Sequence, residues 1–341
     1  MSGPFRRSRT ALAAYGATMA AEAANDLGSE TGSGLPEEIP AMWLRHNYRG
    51  RPVDLRGGPS LTSGLMLAAS RAKAGPGSRA GAAAAIGAAG LAGLLDDLKG
   101  DGSAKGLKGH FRRLAHGQVT TGLIKLAVLA GAGVVFAVLN DAPAASGTKG
   151  RSGRGGQSGV VGRVAKIGVD AAVVAGAANL INLLDLRPGR ALKAAGVPAA
   201  VLGLAPGAGG EMAAGIAGAV AAAAPSDLGE RTMLGDCGAN SLGAALGVAL
   251  VRSLPMGGRV VAAIGIGGLI LASEKVSFTK VIAGNPTLRR LDELGRVDVH
   301  GADDPAGPAD TVDPASADGP GGGAGQTHID ASANNAPERT G

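Results

Sequence analysis

Aromatic side chains are scarce in this chain of 341 residues: they make up 2% of it, although 45% of the residues are hydrophobic. Soluble domains of this size normally use large rings in their core, because each ring buries much apolar area. Here the apolar residues are mostly Ala, Leu, Val and Ile, beside 60 glycines. Small residues let helices approach closely in lipid. The composition therefore indicates packed helices in a membrane.

Cysteine and histidine are also rare. Cys237 is the only cysteine, which excludes an internal disulfide and a cysteine-based zinc site. No histidine lies between His116 and His300. The formal net charge is +6, but there are too few aromatic residues for base stacking, so we expect no nucleic-acid partner. The basic residues cluster between apolar runs, which favours loops at a membrane surface.

Nine apolar segments recur along the chain as candidates for membrane spans. They cover about 10–25, 60–71, 79–95, 119–140, 164–184, 191–206, 210–224, 238–254 and 257–273. Several are shorter than the roughly 20 residues that a spanning helix needs, so they would insert with help from stronger neighbours. We predict an all-α fold, a polytopic transmembrane helical bundle of about nine spans that crosses the cell membrane as a multi-pass protein.

Five regions between these segments fall on one common side of the membrane if all nine span it. They are 40–59, 96–118, 185–190, 225–237 and 274 onward. They hold the larger share of the 33 Lys and Arg residues, so the positive-inside rule places them in the cytoplasm. The arginines near the amino terminus oppose this assignment.

The last part of the chain has a different composition. Past about residue 297, Asp, Pro, Gly and Ser dominate, as in GADDPAGPADTVDPASADGPGGG. Such a segment has too few apolar residues to bury a core. We predict a transmembrane domain over 1–296 and a disordered polar tail over 297–341.

Two polar clusters on the common side end apolar segments. Asp96 and Asp97 follow one segment, and adjacent carboxylates at a membrane boundary normally need a cation or a metal, unless they form a hydrated helix end. Asn179, Asn182 and Asp185 are spaced by three, which places them on one helical stripe. Polar contacts between helices would explain that stripe without any ligand.

Two further clusters begin apolar segments on the same side. Asp236 lies between Gly235 and Cys237 in MLGDCGANSLG, where the glycines allow close approach of a ligand and the carboxylate could bind a divalent cation. A helix cap is the simpler explanation. The stretch NYRGRPVDLRGGPSL carries Arg56, Gly57 and Gly58. Its arginines could bind phosphate or serve as a topology signal.

The order of these clusters resembles a known family, the polyprenyl-phosphate N-acetylhexosamine-1-phosphate transferases, over about residues 45 to 275. RPVDLRGGP looks like the family's Pro-Thr and Gly-Gly loop, and the paired aspartates match its double-aspartate motif. AKGLKG and Lys125 resemble its Gly-Leu stretch and following lysine. The Asn-x-x-Asn-x-x-Asp and Gly-Asp-x-Gly motifs are present, with SLG after the second.

The resemblance implies transfer of a sugar 1-phosphate from a UDP-sugar to polyprenyl phosphate with Mg²⁺, in cell-envelope polymer synthesis. A homodimer is one option for its assembly. The implied roles are metal binding by Asp236 and Asp97, activation or orientation of the lipid phosphate by Asp96 or Asp97, and support of the nucleotide or the metal by Asp185. The implied substrate contacts are Asn179, Asn182, Lys105, Lys125, Arg56, Gly57 and Gly58.

The chain also departs from the family pattern. Leu186 and Pro188 stand where the family usually continues with glycine and a second aspartate, and the histidine-rich loop is missing. The corresponding stretch is SEKVSFTKVIAGNPTLRRLDELGR, where basic side chains could make some of the anion contacts. Two alternatives therefore stay open. One is an inactive homologue that binds polyprenyl phosphate or a cell-envelope partner, and the other is a transporter, which would place carboxylates near mid-membrane.

Overall fold

The computed structural model describes residues 3–27, 40–99, 116–117, 119–142 and 159–297. Helices form most of these residues. Nine longer helices are α1 Gly3–Leu27, α2 Gly57–Arg71, α3 Pro76–Lys99, α4 Thr121–Asp141, α5 Val160–Leu184, α6 Arg190–Leu202, α7 Ala208–Leu228, α8 Gly235–Ser253 and α9 Met256–Ser273. Two short helices follow, α10 Phe278–Gly284 and α11 Pro286–Glu293, and two strands are β1 Leu44–His46 and β2 Pro52–Asp54.

Each of the nine predicted apolar segments corresponds to one of the helices α1 to α9, so the helical class is confirmed. Four of these helices, α3, α4, α5 and α9, are long and apolar enough to cross a membrane. That finding supports a membrane protein. The full count of nine spans stays a prediction.

Helix α8 is the centre of the bundle. It packs against α2, α3, α5, α6 and α7, and nearly all of its residues are buried. Glycine makes its contact with α5 close: a Cβ atom on Gly247 would lie 2.6 Å from the Cα atom of Val174. The small residues thus serve the close helix packing that the composition indicates. Helix α9 has no buried residue and exposes Val261 and Ile264, as a lipid-facing helix would.

The loop before α2 contains a small antiparallel hairpin that the sequence interpretation left as a loop. Strand β1 pairs with β2, and the Asn47 side chain accepts hydrogen bonds from the backbone N–H groups of Arg49 and Arg51 across the turn. Gly50 has a φ of +74°, a conformation that glycine adopts without strain. The all-α prediction therefore omitted one local β element.

This hairpin also fixes the chain that leads into α8. The backbone N–H of Asp54 donates to the carbonyl of Arg231 at 3.0 Å, and the N–H of Met233 donates to the carbonyl of Asp54 at 2.9 Å. The buried carboxylate of Glu230 accepts a hydrogen bond from Asn47 at 2.8 Å and pairs with Arg49 at 3.3 Å. The hairpin thus holds the segment between α7 and α8 through backbone hydrogen bonds and through the side chain of Glu230.

Two predictions fall on residues beyond the described ranges. One is the phosphate contact of Lys105. The tail is the other, since the description ends at residue 297. The domain boundary and the phosphate-binding role of Lys105 stay predictions.

Candidate functional site

Three of the four predicted catalytic carboxylates meet where α3 ends and α8 begins. Asp96 and Asp97 lie in the last turn of α3, and Asp236 lies in the first turn of α8. Gly93 makes this approach possible, because a Cβ atom at that position would lie 2.2 Å from the carbonyl oxygen of Asp236. The two helix ends are therefore in direct backbone contact.

Asp97 caps α8. Its Oδ1 accepts a hydrogen bond from the backbone N–H of Asp236 and its Oδ2 accepts one from Cys237, each at 3.0 Å. The first N–H groups of a helix have no partner within the helix, and a carboxylate there also interacts favourably with the helix dipole. Capping was the simpler explanation for Asp236, but the structure gives that role to Asp97. The Asp236 side chain is left for other contacts.

Lys125 joins the remaining two carboxylates from a third helix, α4. Its Nζ atom lies 2.9 Å from Oδ2 of Asp96 and 2.5 Å from Oδ2 of Asp236. The lysine side chain is 11% exposed and that of Asp236 is 28% exposed, so the aspartate remains accessible to a ligand. We call Asp96, Asp97, Lys125 and Asp236 the acidic cluster. In it, the ammonium group of Lys125 bridges Asp96 and Asp236, while Asp97 accepts the first N–H groups of α8.

No family model and no curated protein matches the chain. The function proposed below for the acidic cluster therefore rests on its geometry and chemistry and on the resemblance of its motifs.

Asp185, the fourth predicted carboxylate, lies directly after α5 on the same side of the bundle. Burial raises the pKa of its carboxyl group well above the ordinary value, and the negative charges of Asp227, Asp236 and Asp97 add to this rise. Asp185 lines a cavity of about 120 Å³. The other walls come from the hairpin, from residues 186–188 after α5, and from the end of α7 with the chain that leads into α8. The cavity and the acidic cluster thus form neighbouring parts of one polar region.

The raised pKa of Asp185 predicts a stability effect. The folded protein holds this proton more tightly than the unfolded chain, so the ionised carboxylate opposes folding at pH values above its folded pKa. Asp185→Asn should raise the melting temperature at pH 7.5, by about 2–4 °C for each kcal/mol by which the free energy of unfolding increases. The gain should shrink as the pH falls towards the ordinary aspartate pKa of about 3.9. Thermal unfolding of the full chain at several pH values measures this.

Asp292 provides a control of opposite sign. Burial raises its pKa, but the hydrogen bond from Arg190 and the charge of Arg296 outweigh burial and hold the pKa below the usual range. Asp292→Asn should therefore lower the melting temperature at pH 7.5, with a loss that disappears at low pH. A melting temperature that falls in both variants at pH 7.5 would contradict the assignment for Asp185.

Buried amides without partners border this region. Asn182 is half-buried, and its Oδ1 atom has no hydrogen-bond partner among the described residues. Asn240 lies one turn after Asp236 and is fully buried. Neither its Oδ1 nor its Nδ2 atom has a hydrogen-bond partner among the described residues. Buried amides are nearly always paired, since leaving one unpaired costs about 1–3 kcal/mol. Orphan groups beside an acidic cluster are what a polar ligand or water would satisfy.

Asn240 was missed by the sequence interpretation, although its position one turn after Asp236 in GDCGANSLG was a readable signal. Asn179 is half-buried on the same helix as Asn182, and no hydrogen bond of its side chain is seen among the described residues. Its predicted substrate contact stays a prediction.

The predicted phosphate loop has a structural use in this arrangement. Arg56 donates from Nε to Asp54 at 2.7 Å and from a terminal nitrogen to the carbonyl of Asn25 at 3.2 Å, so its guanidinium is already engaged. Gly57 and Gly58 start α2 against the chain that leads into α8. A Cβ atom on Gly58 would lie 2.3 Å from the carbonyl oxygen of Leu234. These glycines permit the close packing that positions α8.

The segment after α9 docks beside Asp185. Arg190 binds both oxygens of Asp292 at 2.7 and 3.0 Å, and Arg296 donates to the carbonyl of Pro188 at 2.9 Å. The other basic side chains of this segment are exposed; they are Lys275, Lys280, Arg289 and Arg290.

A buried ion pair lies far from the acidic cluster. Asp170 is fully buried within α5, and both of its oxygens accept hydrogen bonds from Arg259 of α9, at 3.0 and 3.1 Å. Sequence reasoning did not single it out. A transporter would need accessible carboxylates at this depth, whereas Asp170 is already paired. Its contacts with Arg259 connect α5 to α9.

Carboxylate oxygens are the ligands that Mg²⁺ prefers, so the donor chemistry of Asp96 and Asp236 fits this ion. Asp97 has lone pairs left after accepting two N–H groups. Within the described ranges, no three acidic, histidine or cysteine side chains stand together as a ready metal site. At the acidic cluster, the ammonium group of Lys125 bridges two of the three carboxylates.

Proposed function

We propose that this protein transfers a sugar 1-phosphate from a UDP-sugar to polyprenyl phosphate at the cytoplasmic face of the cell membrane, with Mg²⁺, in cell-envelope polymer synthesis. The observation that supports it best is the convergence of Asp96, Asp97 and Asp236 around Lys125 at the ends of three helices. These residues belong to separate motifs of the resembled family. Their meeting at one place is what that resemblance requires.

The proposed reaction is a phosphoryl transfer. An oxygen of the lipid phosphate attacks the β-phosphorus of the UDP-sugar, the bond from that phosphorus to the oxygen shared with the α-phosphate breaks, and UMP leaves. Two anionic groups must approach each other, so catalysis depends on charge neutralisation and positioning. A bound Mg²⁺ would supply charge neutralisation on the diphosphate.

The residues of the acidic cluster divide these tasks. Asp236, with Asp97, would hold the metal, since Asp97 already fixes the backbone of Asp236 in place. Asp96 is the carboxylate left to orient the lipid phosphate or to take its proton. Lys125 can turn its ammonium group from these carboxylates to an incoming phosphate, to which it would make charge-assisted hydrogen bonds.

Asp185 and Asn182 would bind the nucleotide part of the donor. The cavity that Asp185 lines has a volume of about 120 Å³, and Tyr48 contributes an aromatic ring to its wall. Arg187 lies 3.9 Å from the centre of that ring. The oxygen of Asn182 could accept a hydrogen bond from the donor.

An inactive homologue that binds polyprenyl phosphate is the second candidate. Lys125 bridges Asp96 and Asp236 in a closed ion network, which can serve as a structural tie between α3, α4 and α8. The lack of histidine between His116 and His300 also favours this candidate. It predicts lipid binding without turnover.

An activity assay separates the two candidates. Purified full-length protein with Mg²⁺, polyprenyl phosphate and a panel of radiolabelled UDP-N-acetylhexosamines should yield a lipid-linked product. Chelation with EDTA should remove the product, and added Mg²⁺ should restore it. Retained binding of polyprenyl phosphate with no product from any donor would favour the inactive homologue and reject the transferase.

A further inference from the structure

A second polar site lies at the other end of the bundle. Seven residues from the starts of α1 and α3 and the end of α2 enclose a cavity of about 320 Å³. They are Phe5, Arg6, Arg9, Thr10, Ser70, Arg71 and Arg79. We call this cavity the arginine pocket. Four guanidinium groups line it, and its lining contains no acidic residue.

The charge of the arginine pocket is poorly compensated. Arg6 pairs with Glu211 at 3.2 Å, but this carboxylate also accepts the backbone N–H of Lys73 at 2.7 Å. No ion pair of Arg9, Arg71 or Arg79 is found in the part of the chain that the structure describes. Guanidinium groups gathered without carboxylates repel one another, and a bound anion relieves this repulsion.

The arginine pocket is separate from the acidic cluster. Arg79 and Asp96 lie on the same helix, nearly five turns apart, which corresponds to about 25 Å. That length is close to the hydrocarbon thickness of a bilayer, about 30 Å. Since α3 is long and apolar enough to span, a membrane crossed by α3 would have the two sites at its opposite surfaces.

An apolar stripe on α1 continues from the arginine pocket along the bundle. Phe5 lines the pocket, and Leu12, Tyr15 and Met19 follow it at intervals of seven, three and four residues, so the four side chains share one helix face. All four are exposed, Leu12 to 69%. A cationic pocket at the end of an exposed apolar stripe matches a lipid, with its phosphate in the pocket and its chain along the stripe.

We propose that the arginine pocket binds the phosphate headgroup of an anionic membrane lipid on the surface opposite the acidic cluster. Arginine forms paired hydrogen bonds to phosphate oxygens, and three of the four arginines are available to do so. The stripe gives a lipid an advantage over a soluble phosphate. The site is independent of the transfer reaction.

Topology does not explain these arginines. The proposed orientation puts the acidic cluster in the cytoplasm and so places the arginine pocket outside, where the positive-inside rule disfavours Lys and Arg. A ligand accounts for a basic group in that place. The lipid site therefore explains why the amino-terminal arginines oppose the charge rule.

Native mass spectrometry tests this site on the full-length protein in detergent. The probes are dioleoyl phosphatidylglycerol, the zwitterionic dioleoyl phosphatidylcholine, and inorganic diphosphate. We expect phosphatidylglycerol to be retained at least about tenfold more strongly than phosphatidylcholine. The triple variant Arg9→Gln, Arg71→Gln, Arg79→Gln should lose at least about tenfold of that retention, since each charge-assisted bond is strong.

The matched control is Arg163→Gln, because this exposed arginine lies at the start of α5, outside the arginine pocket and the acidic cluster. Retention should be unchanged in the control. The single variant Arg79→Gln serves if the triple variant does not fold, and it should lower retention in the same direction. Equal retention of both lipids, equal loss in the control, or diphosphate binding as tight as phosphatidylglycerol would overturn the proposal.

Discussion

Asp236→Asn is expected to reduce the proposed sugar-phosphate transfer by about 100- to 1000-fold, the size of effect seen when one electrostatic contributor to a transition state is removed. Asparagine has the same shape as aspartate, and its carbonyl oxygen can still accept a hydrogen bond from Lys125. The backbone N–H of residue 236 can still donate to Asp97. The change therefore removes a charge and a metal ligand and retains the packing.

The measurement is the rate of lipid-linked product formation, with thermal unfolding as the check on structure. Asp141→Asn is the matched control, because Asp141 also pairs with a lysine, Lys166 at 3.0 Å, but lies at the other end of α4. We expect its transfer rate to stay within about twofold of the unchanged protein, as for surface pairs of small energetic value. Full activity in Asp236→Asn would remove this residue from the proposed mechanism.

The sequence predicted the helices well, because each apolar segment between charged loops has the length and composition of a helix. It also placed the paired aspartates and Asp236 on a common side, and the structure brings them together with Lys125. That meeting could not be derived from spacing, since three helices, α5, α6 and α7, separate Lys125 from Asp236 along the chain. It depends on α3 packing against both α4 and α8.

The sequence could not assign the individual roles within the cluster. Capping of α8 by Asp97 depends on the distance between two helix ends, and local sequence around Asp236 gave the cap to the wrong aspartate. The hairpin was missed for a different reason. Its strands are three residues long, and β2 also hydrogen-bonds to the chain before α8, a contact between distant segments.

Gly93→Ala is expected to open the contact between α3 and α8. The new Cβ atom would lie 2.2 Å from the carbonyl oxygen of Asp236 and 2.6 Å from the backbone nitrogen of Cys237. Backbone atoms cannot rotate away as a flexible side chain can, so the helix ends must separate. Overpacking of this kind typically costs about 1–3 kcal/mol. A displacement of about 1 Å at a catalytic group can lower a rate by about 100-fold.

Alkylation of Cys237, the only cysteine, measures the separation of these helix ends independently of an activity assay. Cys237 is 3% exposed, and its backbone N–H is held by Asp97 in the contact that Gly93→Ala disturbs. Its alkylation by a maleimide should therefore be faster in the variant. Gly87→Ala on the same helix is the control, since its Cβ atom would meet only the end of the flexible Met66 side chain, at 3.1 Å.

If Gly93→Ala leaves both the alkylation rate and the melting temperature as they are in Gly87→Ala, the two helix ends do not touch as described. The acidic cluster would then lack the contact that brings Asp97 to the start of α8. Faster alkylation together with reduced transfer would instead link the spacing of these helices to the position of the carboxylates. Faster alkylation with undiminished transfer would place the reaction away from the acidic cluster, because the geometry of that cluster depends on this contact.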